Sequence, residues 1–326
     1  VILILWYMFL KKYFSENSAF FFGLFYVFSP SVFINGDLFL WLAHLQQVAL
    51  PTIIAMLLFY RIFYREKVNT LYYISLGLIC GLGSWLDYIF VIILPVIFIF
   101  WFIKDKIFFL RKSFLIFLIF FIIGLSPWIY YNFTHNFDGI YFKGYGSTTI
   151  YAVASLSKFM ARGKEIIGKI FPYLFYFNCW LGIIKYIYYF IFCFSFAILI
   201  YIHKKSLQGL FIDIFSPKIF SESYKNISKE TFILIFIVIY ILLFILHQKW
   251  IKIRYLSPLY PFIFAVVAIA INNLSRGKWI FLTLFVLFLI FSTSYDFEKR
   301  LPYFGFMKGF SYRGYHFYAD FGEALV

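Results

Sequence analysis

Charge is scarce in this sequence, and acidic charge is scarcest. Only 13% of its 326 residues are Asp, Glu, Lys or Arg, and 14 acidic residues face 29 Lys and Arg. A soluble domain carries about 25% charged residues, so a water-facing globular fold is excluded. Cysteine is nearly absent. Cys80, Cys179 and Cys193 sit in apolar surroundings without paired spacing, which supports neither a disulfide framework nor a zinc site. The chain also lacks the strict alternation of β-barrel strands, any repeat at a solenoid period, and the matched, broken-helix halves of many transporters. It has no Ser/His/Asp order, His/Cys cluster or phosphate-cradling glycine loop.

What fills the chain instead is apolar: 64% of residues are hydrophobic and 26% aromatic. Ten apolar runs follow one another, at about 1–10, 19–33, 45–60, 71–85, 89–102, 114–131, 180–202, 232–246, 255–271 and 279–291. About twenty residues of helix cross roughly 30 Å of hydrocarbon, and several of these runs approach that length. The expectation is an all-α integral membrane protein, a polytopic bundle of about ten transmembrane helices. The first residue, Val1, already lies inside an apolar run. We therefore expect a fragment whose first span or spans are missing, with a tail that is also cut short.

The connections alternate in charge. Lys11 and Lys12 follow the first run, Arg61, Arg65 and Lys67 the third, and Lys104, Lys106, Arg111 and Lys112 the fifth, while the short loops between them carry no Lys or Arg. The positive-inside rule assigns the basic loops to the cytoplasm. Carried forward, this divides the chain into four parts. Residues 1–131 hold about six spans, and 132–179 form an external loop with an interfacial helix. Residues 180–295 hold about four spans interrupted by a cytoplasmic loop at 203–230, and 296–326 form an external tail. The interfacial helix is read from the Lys- and Arg-bearing amphipathic stretch "ASLSKFMARGKEIIGKI". The net charge of +15 is thereby explained by orientation and anionic headgroups, so membrane lipids are expected partners and nucleic acid is not.

One short external connection breaks the rule. Lys249, Lys252 and Arg254 crowd the start of a late span, where an anionic ligand would compensate for their placement. They form a candidate phosphate seat, the plainer alternative being that they snorkel to ordinary headgroups. Asp37 and Asp87 are the carboxylates nearest the outer span ends. Either could deprotonate an acceptor or hold a divalent cation, the plainer alternatives being a helix cap for Asp37 and a hydrated turn for Asp87. His44 and Gln47 share a helix face and could meet sugar hydroxyls, or could satisfy neighbouring helices. No metal ligand set and no certain cofactor emerges. "NFT" at Asn132 and "NIS" at Asn226 match the glycosylation pattern, the second on the cytoplasmic side.

Four stretches together resemble the GT-C superfamily of membrane glycosyltransferases, family 39 type, which includes protein O-mannosyltransferases and the lipid A aminoarabinose transferase. They are "FSPSVFINGD", "GLICGLGSWLDYIFVIILPVIF", "GLSPWIYYNF" and "RYLSPLYPFIFAVVAIAI", and the terminal "GYHFYADFGEAL" is also similar to a tail of bacterial members. The resemblance implies a polyprenyl-phosphate sugar as donor and a lipid, glycan or protein as acceptor. It implies inverting transfer on the outer face of a bacterial plasma membrane. It makes Arg254 and Tyr255 the best-matched positions for the lipid phosphate, with Lys252 and Lys249 beside them, and puts Asp37 near a second acidic residue of the relatives. Their principal catalytic Asp lies in the first external loop, ahead of the span that corresponds to 1–10, so the main acidic residue is expected upstream of Val1. The rival expectations are a transporter or flippase of lipid-linked saccharides, and a membrane polysaccharide polymerase.

Overall fold

The computed structural model describes residues 1–29, 43–64, 68–137, 156–175, 183–215, 227–247, 256–274, 283 and 285–291. Among these, all regular secondary structure is helical. The helices are α1 (Ile2–Tyr13), α2 (Glu16–Val27), α3 (Ala43–Phe63), α4 (Thr70–Leu86), α5 (Ile93–Lys104), α6 (Lys112–Thr134), α7 (Leu156–Glu165), α8 (Ile184–Ile202), α9 (Lys204–Phe215), α10 (Lys229–His247), α11 (Tyr260–Asn272) and α12 (285–291). Each of the ten apolar runs contains one of them. By length and composition, Lys112–Thr134, Lys185–Ile202 and Lys229–Leu246 can cross a membrane, which marks the chain as membrane-associated.

The starts and stops have local causes. Ser15 opens α2 by accepting the Ser18 amide on its hydroxyl at 3.0 Å, and Asn69 opens α4 by accepting the Leu71 amide at 3.0 Å. Two elements, α9 and the 3-10 turn Phe171–Phe175, were not evident as helices in the sequence. α9 lies inside the expected cytoplasmic loop, where Leu207, Leu210, Phe211 and Ile214 recur at helical spacing. The amphipathic stretch of α7 also does not stop at Glu165. It continues through a π-helical turn (Ile166–Ile170) and a 3-10 turn (Phe171–Phe175), whose Phe171, Pro172, Leu174 and Phe175 are buried.

The core gathers around α11, which is buried at every residue from Tyr260 to Ile271. Phe262 stacks on Phe236 of α10 with ring centroids 4.0 Å apart and meets Trp6 of α1 edge-on at 4.9 Å. Phe264 reaches Phe22 and Tyr26 of α2. A different device joins α4 to α6. Gly77 and Gly81, spaced four apart, face the α6 carbonyls of Phe117 and Phe121, and Gly124 of α6 faces the Leu78 carbonyl of α4. A Cβ at any of the three would strike backbone, so the helices close to a separation that glycine alone allows. The opposite side of α6 turns Leu115, Leu118, Ile119, Ile122 and Ile123 outward.

One end of the bundle is tied by a belt of polar contacts between helix termini. Tyr60 donates to the Lys229 carbonyl at 2.7 Å and Tyr64 to the Ser228 carbonyl at 3.3 Å, joining the end of α3 to the start of α10. The Ser206, Ser228 and Thr231 hydroxyls bond one another's neighbourhood at 2.8 to 2.9 Å, linking α9 to α10. Lys104 at the end of α5 donates to the carbonyls of Ile62 and Phe63 at 3.1 and 2.7 Å, where a cation suits the negative end of α3. Lys11, Arg61, Arg111 and Lys112 stand at this same end, so the basic connections that alternate along the sequence converge in space.

Candidate functional site

The other end is reached along α10. Its 19 residues begin at the belt, and at about 1.5 Å per residue they carry the chain roughly 28 Å away to His247. α4 makes a similar passage to Asp87. α7 lies at this far end, for a Cβ on its Gly163 would stand 3.7 Å from Cδ1 of Ile245 near the close of α10.

Asp87 sits between α4 and the 3-10 turn Tyr88–Ile92, only 5% exposed. Its amide donates to the Gly83 carbonyl at 3.0 Å and its Oδ1 accepts the Ile89 amide at 2.9 Å, so it closes one helix and opens the next turn. Gly83 permits this fold-back, because a Cβ there would meet the Phe90 ring at 2.7 Å. The buried phenol of Tyr240 in α10 lies within electrostatic reach of Asp87 and Tyr88. The sequence offered a catalytic and a hydrated-turn reading for this carboxylate; instead it is buried, and Oδ1 is engaged as a cap.

Gln47 is exposed on α3. His44 lies one turn earlier in the same helix, at a position three residues away and so on the same face, but its side chain is outside the described residues. Asp37, Lys249, Lys252, Arg254 and Tyr255 also lie outside them. The nearest described positions to the cation cluster are His247, which ends α10, and Leu256, which is buried ahead of the 3-10 turn Ser257–Leu259.

The amphipathic stretch expected as an interfacial helix stays mostly exposed as far as Lys169, with Ile166 buried. From Phe171 the chain turns into the core, where the buried Tyr260 hydroxyl donates to the Leu174 carbonyl; just before that turn the Tyr189 hydroxyl donates to the exposed Ile167 carbonyl at 2.9 Å. Phe171 and Phe175 both pack on Phe192 of α8. The clue was the apolar run "FPYLF", too short to read as an element by itself. Sequence reasoning also passed over Arg162. Its Nε is enclosed with no acceptor among the described residues. Burial pushes the guanidinium pKa below its usual value and Glu165 partly restores it. Lys158 lies one turn before it on the same face of α7, and Lys164 stands on the opposite side of the helix.

Among the described residues, no three His, Cys, Asp or Glu side chains come together as a metal site. Cys80 is buried and Cys193 exposed, both as free thiols. Comparison with known protein families, curated proteins and solved structures finds no match.

Proposed function

We propose that the chain is a membrane glycosyltransferase of about ten spans, moving a sugar from a polyprenyl-phosphate donor to a lipid, glycan or protein acceptor. In this reading the basic end faces the cytoplasm of a bacterial cell and the far end faces outward across the plasma membrane. The donor's phosphate sits with Arg254 and Tyr255, with Lys249 and Lys252 adding charge. An acceptor hydroxyl attacks the anomeric carbon, the carbon–oxygen bond to phosphate breaks with inversion, and the lipid phosphate departs with the bonding pair. Cations held in a low-dielectric site favour the departing phosphate most as its charge develops, which lowers the barrier rather than merely tightening binding. The acceptor's hydroxyl proton passes to the departing lipid phosphate, so the scheme rests on neither Asp37 nor Asp87 and requires no divalent cation.

The observation that carries this reading is the separation of charge along the bundle. The cationic helix ends converge at the belt, yet the chain leaves α10 at the opposite end immediately before Lys249, Lys252 and Arg254. That end also holds α7 with its enclosed, acceptor-poor Arg162. Two cationic groups on the face that the positive-inside rule leaves uncharged call for an anionic substrate there. Arg254→Ala in the full-length protein should lower turnover of a radiolabelled polyprenyl-phosphate sugar by about a hundredfold, the loss typical of one well-placed oxyanion donor. Wild-type turnover in that variant would remove the phosphate seat and the reading with it.

A further inference from the structure

A second donor-rich place lies at the belt end, independent of the glycosyltransferase reading. A cleft of about 370 Å³ opens where α5 and α6 meet, lined by Trp101, Lys104, Asp105, Arg111, Lys112 and Ser113 among others. Its size falls in the range of about 300–1,000 Å³ that small ligands occupy. Three cations face one carboxylate. Asp105 is engaged by its own loop, its Oδ2 accepting Arg111 Nε at 3.0 Å and its Oδ1 accepting the Ile107 amide at 3.1 Å. Lys104 is held at the wall by the α3 carbonyls described above, and Lys112 is exposed at the first turn of α6, where the unpaired amides add positive potential.

Two further observations narrow the ligand. Trp101 is 1% exposed, and its indole Nε1–H finds no acceptor among the described residues. A buried donor left without an acceptor costs free energy that an acceptor brought by a ligand would recover. Beside the cleft, Phe109 and Leu110 are 38% and 87% exposed, an apolar step next to Arg111 and Lys112. Apolar side chains adjoining cations are the pattern of a membrane interface rather than of a site for a free solute.

We infer that this cleft binds the phosphate headgroup of an anionic membrane lipid, the phosphate between Arg111, Lys112 and the Trp101 indole and the acyl chains over Phe109 and Leu110. The test uses the full chain in mild detergent and three probes: dioctanoyl phosphatidic acid, dioctanoyl phosphatidylcholine and inorganic phosphate, with binding followed by native mass spectrometry. Phosphatidic acid should bind about tenfold more tightly than either other probe. Lys112→Gln should weaken that binding by about tenfold, as loss of one charge-assisted contact does, and Arg111→Gln by at least as much. Trp101→Phe, which deletes the indole donor but keeps a ring, should weaken it severalfold. Should Arg111→Gln unfold the chain by stranding Asp105, the exposed Lys112 still decides. Equal binding of phosphatidylcholine, or indifference of phosphatidic acid to Lys112→Gln, overturns the site. Inorganic phosphate binding as tightly as phosphatidic acid overturns its assignment to a lipid.

Discussion

α11 and α6 are both continuous apolar helices, yet they live in opposite surroundings. Every residue of α11 from Tyr260 to Ile271 is buried, whereas α6 touches α4 along a glycine seam and turns most of its large side chains outward. Hydropathy cannot separate them, because lipid is as apolar as a protein core and does not drive helices together as water does. Side-chain size and shape separate them. α11 mixes Ala265, Ala268 and Ala270 with Phe262 and Phe264, so neighbours on all sides find both recesses and knobs. α6 offers one recess, Gly124, and otherwise a ridge of Phe, Leu and Ile. It is long and apolar enough to cross a bilayer, and its glycine fixes α4 as its partner.

That contrast predicts a graded series of effects on thermal unfolding in detergent. The largest is Phe262→Ala, which removes a ring wedged between Trp6 and Phe236 and should cost about 3 kcal/mol; a shift like that of a lipid-facing residue would show that α11 is not enclosed. Next is Gly81→Ala, whose added methyl meets the Phe121 carbonyl and should cost about 2 kcal/mol; a neutral result would mean that α4 and α6 stand further apart than described. Tyr260→Phe deletes the hydroxyl that donates to Leu174 and should cost about 1 kcal/mol, with faster proteolysis between residues 156 and 175 as the accompanying sign. The smallest is Leu118→Ala on the outward face of α6, expected within about 0.5 kcal/mol of wild type. A cost near that of Phe262→Ala would reveal a partner on that face.

Much of this architecture could be read from residues alone. The ten apolar runs mark helix positions because a buried or lipid-facing helix needs few polar side chains. "GLICG" gave the close α4–α6 contact in principle, since only glycine lets backbones approach so far. Burial of α11 could not be read, because lipid-facing and core-facing residues share one chemistry. The inward course of 171–175 was hidden for a related reason: its five residues form an apolar run that resembles any loop that skirts a membrane. Of the site, Asp87 was legible as a turn residue from its place between two apolar elements, but its burial as a cap was not. The Trp101 donor was not, because nothing in sequence tells whether an indole finds an acceptor.

The contacts of Tyr60 and Tyr64 with the start of α10 join residues 169 and 164 positions apart, and Lys104 ties α5 into the same place. Helices clamped at one extremity can still splay at the other, as the blades of shears part about their rivet. The belt thus fixes where α3, α5, α9 and α10 meet, whatever occupies the far end.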